Sequence, residues 1–306
     1  MASESRTEIR PERERLAAKL GDELFEKMPL LTPERFEQKV AQRAAVDQHF
    51  ARISIGFLSG VINRPGLDRE SRYLVQVGMF SVARSHGHLE DAVRSAILDG
   101  VPVRKVVEAI LFTHIYGGDT VLEPALTIFS RVAQELGVLT DLQDDQLPVD
   151  GRARDHDAER AAWPAGLVDD PRATSLMDTF GWRGVATGYR YRGTHHLDSL
   201  ETHTRQDVSF GQLWETFTYE GMYSRGVLDD KTRLLCTTAD CLALGAGAAE
   251  SARDHMEEAL HFGNSPREVL EVIFMSGLFF GFPGMSVARA ALFKILREQD
   301  RLDEIS

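Results

Sequence analysis

Two stretches of sequence decide the fold: Asn63-Arg-Pro-Gly-Leu-Asp-Arg-Glu-Ser-Arg72 and, much further along the chain, Ser224-Arg-Gly-Val-Leu-Asp-Asp-Lys-Thr-Arg233. Aligned without a gap, they share four residues, which are Arg64, Leu67, Asp68 and Arg72 in the first stretch and Arg225, Leu228, Asp229 and Arg233 in the second. The separation is far longer than the repeat of a solenoid. It therefore predicts a duplicated domain, with two like halves that pack on each other.

A second pair of blocks supports the duplication. Gly100, Arg104, Val106, Glu108 and Ile110 recur in the same order as Gly263, Arg267, Val269, Glu271 and Ile273, and Gly118 recurs as Gly281. The alignment shifts slightly between the two pairs of blocks, so the second copy carries a small insertion. The differences between the copies indicate where chemistry has been kept or lost.

Composition narrows the class of protein. The chain has 306 residues, enough for two cores of ordinary size, with 43% hydrophobic and 27% charged residues. Because the net charge is −12 and the basic residues are scattered, we expect no nucleic-acid partner. Residues 1–10 contain no apolar run of a secretory signal, and the longest nearly apolar stretch, Val272 to Met285, is too short to span a bilayer. We expect a cytoplasmic protein with no membrane partner.

The pattern of apolar residues predicts helices. Apolar residues recur at helical spacing in segments such as Val103 to Tyr116. Ser265-Pro266 has the serine cap and first-turn proline of a helix start, and Gly100 and Gly263 stand where helices end. No run alternates convincingly as a strand does. The sequence therefore predicts an all-α fold.

Composition along the chain predicts three segments. Residues 1–140 are the first domain with an N-terminal helical extension, residues 141–180 a linker arm, and residues 181–306 the second domain. The arm is predicted because 141–172 is rich in Asp, Arg, Ala, Gly and Pro and poor in large apolar residues. Residues 181–203 have no counterpart in the first half.

The second copy resembles the carboxymuconolactone decarboxylase family, which also contains the alkylhydroperoxidase D-like proteins. The resemblance rests on Leu228-Asp-Asp-Lys-Thr-Arg233, Arg253-Asp-His-Met-Glu-Glu-Ala259, Gly263, Glu271 and Phe279-Phe-Gly-Phe-Pro283. The first copy matches at Arg72, Ala96, Gly100, Glu108, Tyr116 and Gly118 but has Ala92 in place of the motif histidine and Thr120 in place of the final proline. The resemblance implies two tandem alkylhydroperoxidase D-like helical domains that form a fused pseudo-dimer. It also implies either a monomer or a homo-oligomer, a trimer with pseudo-hexameric symmetry.

The resemblance leaves the chemistry open. The peroxidase branch of the family needs a CxxC pair just before the histidine, and the matching positions here are Ala248 and Ser251, or Ser85 and His88 in the first copy. Without a thiol there, a thiol peroxidase is disfavoured. Cys236 and Cys241 fit neither a CxxC pair nor a zinc motif, and we expect buried reduced thiols. The decarboxylase branch needs no metal or organic cofactor, so we expect none.

Decarboxylation without a cofactor requires an oriented carboxylate, donors that stabilise the enolate, and an acid that protonates carbon. The resemblance makes His255 the candidate proton donor. Glu271 is the candidate that orients His255, but its counterpart Glu108 recurs in the copy without the histidine, which favours a structural ion pair. Arg233 either holds a substrate carboxylate or only closes the fold.

The segment Tyr189-Arg-Tyr-Arg-Gly-Thr-His-His196 is dense in basic and aromatic groups. The candidate residues for binding an anionic small-molecule substrate are Arg190, Arg192, His195 and His196. Alternatively, the segment is a solvated loop. His195, His196 and His203 fit no standard metal spacing, so we predict no metal. Tyr116 and His114 are further pocket candidates, because each half of a fused dimer can wall the other's site; alternatively Tyr116 only packs at the repeat interface.

These observations predict a cofactor-free lyase, a decarboxylase acting on a small carboxylated lactone or a β-keto-like acid with His255 as general acid/base. Two alternatives remain open at this point. One is a family fold diverted to isomerisation or cyclisation in a specialised pathway. The other is a non-catalytic protein that binds a small ligand or serves as a scaffold.

Overall fold

The computed structural model describes residues 14–18, 20–21, 32–144 and 163–305. Every regular element in these ranges is a helix, which confirms the predicted all-α fold. Within the same ranges, no helix combines the length and the apolarity needed to cross a membrane.

Contacts divide the chain into two compact units. The large unit comprises 1–140 and 231–306, and the small unit comprises 141–230. Helices of the first part of the large unit are α1 (Pro33–Val46), α2 (Gln48–Ile62), α3 (Arg69–Val82), α4 (His86–Leu98), α5 (Val103–Phe112), α6 (His114–Gly117), α7 (Asp119–Glu135) and α8 (Leu139–Asp144), which runs past its end. Helices of the small unit are α9 (Ala165–Val168), α10 (Ala173–Phe180), α11 (Trp182–Arg192), α12 (Thr194–Gln206), α13 (Val208–Glu215) and a π-helix (Thr216–Tyr223). The large unit resumes with α14 (Asp230–Leu244), a 3₁₀ turn (Gly245–Ala248), α15 (Ala249–His261), α16 (Pro266–Phe280), α17 (Phe282–Glu298) and a 3₁₀ turn (Leu302–Ile305).

These units differ from the predicted segments 1–140, 141–180 and 181–306. Residues 231–306 pack with 1–140, whereas the rest of the predicted second domain belongs to the small unit. Of the predicted linker arm, 145–162 lies outside the described residues, and 163–180 forms helices. The few apolar side chains of that stretch are spaced to share one core, which is made of Leu167, Ala173, Leu176, Phe180, Val185, Ala186, Leu197 and Leu200. The average apolar content of the predicted arm is low, and composition alone therefore did not reveal this spacing.

The two parts of the large unit have parallel helix orders. The series α3, α4, α5, α7 is matched by α14, α15, α16, α17. Glycines with left-handed φ stand at matching boundaries: Gly100 (88°) with Gly263 (90°), and Gly118 (64°) with Gly281 (96°). Only glycine adopts such angles without strain, so these residues fix where the helices end. A duplication explains the matching helix order and the matching glycines. The duplication itself stays a prediction.

The parallel also reaches further towards the N-terminal side of each copy. Asp47 caps α2 and accepts a hydrogen bond from the Phe50 N–H at 2.7 Å, and Asp207 caps α13 and accepts one from the Phe210 N–H at 3.0 Å. Both caps are extended, with φ of −156° and −158°. The preceding helix α12 therefore corresponds in order to α1, although its sequence suggested no counterpart.

The centre of the large unit is formed by α3 and α14. Side chains 71–82 of α3 and 233–241 of α14 are all buried, so both helices are enclosed on every side. The helices meet at Gly78, where an added Cβ would lie 2.5 Å from the Asp240 Oδ1 atom. Only a residue without a side chain permits this approach. Burial raises the pKa of Asp240 well above its usual range, because desolvation disfavours the charged form of the carboxyl group.

A second buried carboxylate, Glu271 on α16, is ionic. Its fully buried carboxylate accepts from the Arg64 Nε and the Arg267 Nε at 3.0 Å each, and the Arg72 Nη2 atom lies 3.6 Å away. Arg64 and Arg72 belong to the first copy and Glu271 to the second, so the cluster joins the copies. Gly66 permits the contact, because an added Cβ would lie 2.6 Å from the Glu271 Cγ atom.

Replacing Glu271 with glutamine should strongly destabilise the large unit, because three guanidinium groups lose the carboxylate that compensates their charge. We expect the free energy of unfolding to fall by about 3 kcal/mol, measured by urea denaturation. The matched control is Glu298→Gln on the surface of α17, for which we expect a change within about 0.5 kcal/mol. Equal effects of the two variants would contradict the structural importance of Glu271.

Candidate active site

His255 lies on α15 at the edge of its buried face. Ala252, Met256 and Ala259 are buried on that face, and the His255 side chain is 12% exposed. Its Nδ1–H donates to the Glu258 Oε2 atom at 2.8 Å. Because Glu258 lies three residues further along the same helix, one turn of α15 supplies both groups. The carboxylate fixes a proton on Nδ1 and leaves the lone pair of Nε2 as an acceptor.

The Tyr116 hydroxyl completes a polar chain. It donates to the His255 Nε2 atom at 3.1 Å, and the two rings meet edge to face with centroids 5.5 Å apart. Tyr116 comes from α6 of the first copy, just before the left-handed Gly118. The result is a Tyr116–His255–Glu258 relay, which is three polar groups in series with one residue from the first copy and two from the second.

The arrangement is reciprocal between the copies. Phe279, which aligns with Tyr116, comes just before the left-handed Gly281 and lies beside His88 of the first copy, with ring centroids 6.0 Å apart. Each copy therefore supplies an aromatic ring to a histidine of the other.

Glu271 does not orient His255. The structure assigns that place to Glu258, and the Glu271 carboxylate is held by arginines. This geometry agrees with the alternative of a structural ion pair, and the arginines that pair with Glu271 are Arg64, Arg72 and Arg267. Arg233 is 3% exposed and its guanidinium lies over the Phe112 ring at 5.7 Å, so the structure favours its role in closing the fold. The sequence missed Glu258, although its spacing from His255 was readable.

The residues of 189–196 do not converge on one point. They lie on α11 and α12 of the small unit, where successive side chains point about 100° apart. Arg190 is exposed and pairs with Asp230, Arg192 is half-buried, His195 is exposed, and His196 is fully buried. A common anion clamp is therefore not formed by these four residues.

His196 occupies the core of the small unit. Its Nε2 atom lies 3.0 Å from the Glu215 Oε1 atom, and both side chains are fully buried. The His196 ring stacks edge to face on Tyr219 of the π-helix, with centroids 4.5 Å apart. Gly188 leaves room for the imidazole, because an added Cβ would lie 2.2 Å from it. His196 therefore packs as a paired core histidine.

The other predicted ligands have separate surroundings. His114 Nε2 lies 2.9 Å from the Asp119 Oδ1 atom near the start of α7. In the described part of the chain, no three His, Cys, Asp or Glu side chains are grouped so as to hold a metal ion. Cys236 and Cys241 are buried free thiols, and burial raises the pKa of Cys241, so neither is a ready nucleophile.

A cavity of about 360 Å³ lies in the large unit beside His88, a residue that the sequence analysis did not single out as functional. Ser85 and His88 stand at the first turn of α4, and the Ser85 Oγ atom lies 2.9 Å from the His88 Nδ1 atom. The serine makes no side-chain cap bond to the helix. The first copy thus has a histidine one turn before Ala92, the position that aligns with His255. The three-residue spacing of Ser85 and His88 was the sequence signal from which this pair could have been predicted.

The comparisons with known proteins agree with this fold and motif. Residues 209–294 match the model of the carboxymuconolactone decarboxylase family. An uncharacterized 15.0 kDa protein in the nqo9–nqo10 intergenic region of Paracoccus denitrificans is 35% identical over 91 residues, or 29% of this chain. The chain spans 63% of the length of that relative. The segment that the family model matches, 209–294, contains His255, Glu258 and Glu271 but not Tyr116.

Residues 209–294 are similar to the carboxymuconolactone decarboxylase family, in agreement with the resemblance of the second copy. The family includes decarboxylases and also peroxidase-like members. A match to the family leaves the reaction open, so the chemistry has to be argued from the residues.

Lys39→Met should raise the pKa of His88. Burial, and then the charge of Lys39, lower this pKa below its usual value of 6.5, and Asp91 opposes them. Removing Lys39 therefore removes a repulsion of the imidazolium and leaves Asp91 with one cationic partner fewer. The pKa is read from the His88 Cε1–H proton shift during an NMR titration. The control Lys294→Met, on the surface of α17, should leave it unchanged; a wild-type value above 6.5 would contradict this electrostatic description.

Proposed function

We propose that the protein is a cofactor-free lyase that decarboxylates a small carboxylated lactone or a β-keto-like acid. The observation that carries the proposal is the Tyr116–His255–Glu258 relay. A histidine held at both nitrogens is suited to deliver a proton to carbon and to take one back.

Each member of the relay has a distinct part. Glu258 keeps the Nδ1 proton in place and stabilises the imidazolium when His255 gains a second proton at Nε2. The Tyr116 hydroxyl is hydrogen-bonded to the His255 Nε2 atom. It therefore transmits the proton between His255 and the carbon that loses the carboxylate. General acid catalysis of this kind contributes about 10²- to 10⁴-fold in rate.

Thiol peroxidase chemistry has less support in this chain. Ala248 and Ser251 precede His255 where the peroxidase branch has its cysteines, and the two cysteines present are buried elsewhere on α14. The relay would serve an isomerase or a cyclase equally well, because these reactions also move a proton at carbon. A non-catalytic binding protein would show no turnover.

His255→Ala should lower turnover about 10²-fold or more, because it removes the proton donor. The assay is proton NMR in D₂O with 4-carboxymuconolactone, which follows the enol-lactone and the deuterium incorporated on loss of CO₂. His261→Ala is the matched control, since His261 is an exposed histidine on the same helix. Unchanged turnover in His255→Ala would refute the assignment of the acid. Isomerised product without loss of CO₂ would replace the lyase by an isomerase.

Glu258→Gln should lower turnover about tenfold or more, because an amide neither fixes the Nδ1 proton nor stabilises the imidazolium. Tyr116→Phe should also lower turnover, with the ring contact kept. The control is Glu257→Gln, since Glu257 is a half-buried neighbour of Glu258 that pairs with Arg253 and has no contact with His255 in the relay. Wild-type turnover with an unaltered pH profile in Glu258→Gln would show that this carboxylate only packs.

A further inference from the structure

The cavity beside His88 has no lining residue in common with the relay. Its walls come from α1, α2, α3, α4 and the end of α16, and His255, Glu258 and Tyr116 are not among them. Its volume of about 360 Å³ lies within the range of small-molecule sites. The cavity is therefore a separate feature of the large unit that the proposed function leaves unexplained.

Arg43 supplies the positive charge of the cavity. Its Nη1–H donates to the Ser54 hydroxyl at 3.1 Å, and no described carboxylate lies within ion-pair distance of it. The neighbouring cation Lys39 is different, because its Nζ atom lies 3.3 Å from the Asp91 carboxylate, which also accepts from Arg35 at 3.1 Å. Asp91 also lines the cavity, but its carboxylate is paired with Lys39 and Arg35, so Arg43 is the lining cation without a described ion-pair partner and is left to bind an anion.

Gln76 supplies a hydrogen-bond donor. It lines the cavity from α3, is 3% exposed, and its Nε2 atom has no hydrogen-bond partner among the described residues. A buried amide N–H without an acceptor is costly, and such groups in native proteins usually meet a partner. An oxygen of a ligand in the cavity would provide that acceptor.

The remaining wall is aromatic. The lining phenylalanines are Phe50, Phe57, Phe80, Phe279 and Phe280. Phe80 and Phe279 meet edge to face with centroids 4.7 Å apart, and His88 lies beside both rings. Rings in this arrangement present faces and edges to a flat apolar ligand. Burial and the charge of Lys39 lower the pKa of His88, which favours the neutral imidazole as a polar group of the cavity.

We propose that this cavity binds a monocarboxylate with an aromatic body, with its carboxylate held by Arg43 and Gln76 and its ring between the phenylalanines. Ser85 holds His88 by its Nδ1 atom, so the Nε2 atom of that ring is left for a polar substituent of the ligand. The site is independent of the relay, and it is present whether or not His255 is catalytic.

The test is isothermal titration of the full chain with 2-naphthoate, and with 2-naphthamide as a neutral probe of the same shape. We expect naphthoate to bind and naphthamide to bind at least about tenfold more weakly, because a charge-assisted bond is lost. Arg43→Gln should weaken naphthoate binding by about tenfold or more and abolish the preference over the amide. Gln76→Leu should weaken binding independently, and circular dichroism establishes that each variant is folded.

Two controls separate this site from the relay. His255→Ala should leave naphthoate binding unchanged, and so should Arg253→Gln, which removes a surface arginine of α15. Absence of binding at millimolar naphthoate, equal affinity for the amide, or full affinity in folded Arg43→Gln would each overturn the proposal. Loss of binding in His255→Ala would place the ligand at the relay and also overturn it. Failure of the decarboxylase assay has no bearing on these outcomes.

Discussion

The large unit depends on the ion cluster around Glu271. A fully buried carboxylate is tolerable only when cations surround it, and here two of the three arginines come from the other copy. The cluster therefore fixes the loop after α2 against α16. With the copies held in this way, Tyr116 reaches His255 and Phe279 reaches His88. Both histidine sites thus rely on an ion cluster that takes no part in their chemistry.

Two buried acids in the same unit have opposite electrostatic surroundings. Glu271 has three guanidinium groups within reach, so its ionised form is compensated. Both carboxyl oxygens of Asp240 lack a hydrogen-bond partner among the described residues, and burial alone raises its pKa. Burial thus favours the uncharged form of Asp240 at the crossing with Gly78, where a charge without a partner would oppose the approach of two enclosed helices. The same core therefore uses ionic contact at its edge and a neutral contact at its centre.

The sequence predicted the helices, because helix periodicity, caps and stop glycines are local signals. Its motifs indicated the family resemblance that the match of residues 209–294 supports. It also brought His255 into consideration through the family motif, and Tyr116 through the argument that each half lines the other's site. It misassigned Glu271, because the arginines that hold this residue are distant in sequence and no local pattern reveals the cluster. It also predicted a common binding role for residues of 189–196 that the structure does not bring together. Neighbouring residues on a helix point in different directions, so His196 is buried while His195 is exposed.

The two copies show how one helical frame yields different sites. By the repeat alignment, Ala92 stands where the second copy has His255, and Ala92 lines the cavity. A methyl group in place of an imidazole leaves volume there, and the first copy's histidine stands one turn earlier, about 5.4 Å along the helix. His88 pairs with a serine and is exposed, whereas His255 pairs with a carboxylate and is nearly buried. A carboxylate partner favours proton transfer, and an open cavity favours ligand binding, so the displacement of one histidine by a single turn is enough to separate the two tasks.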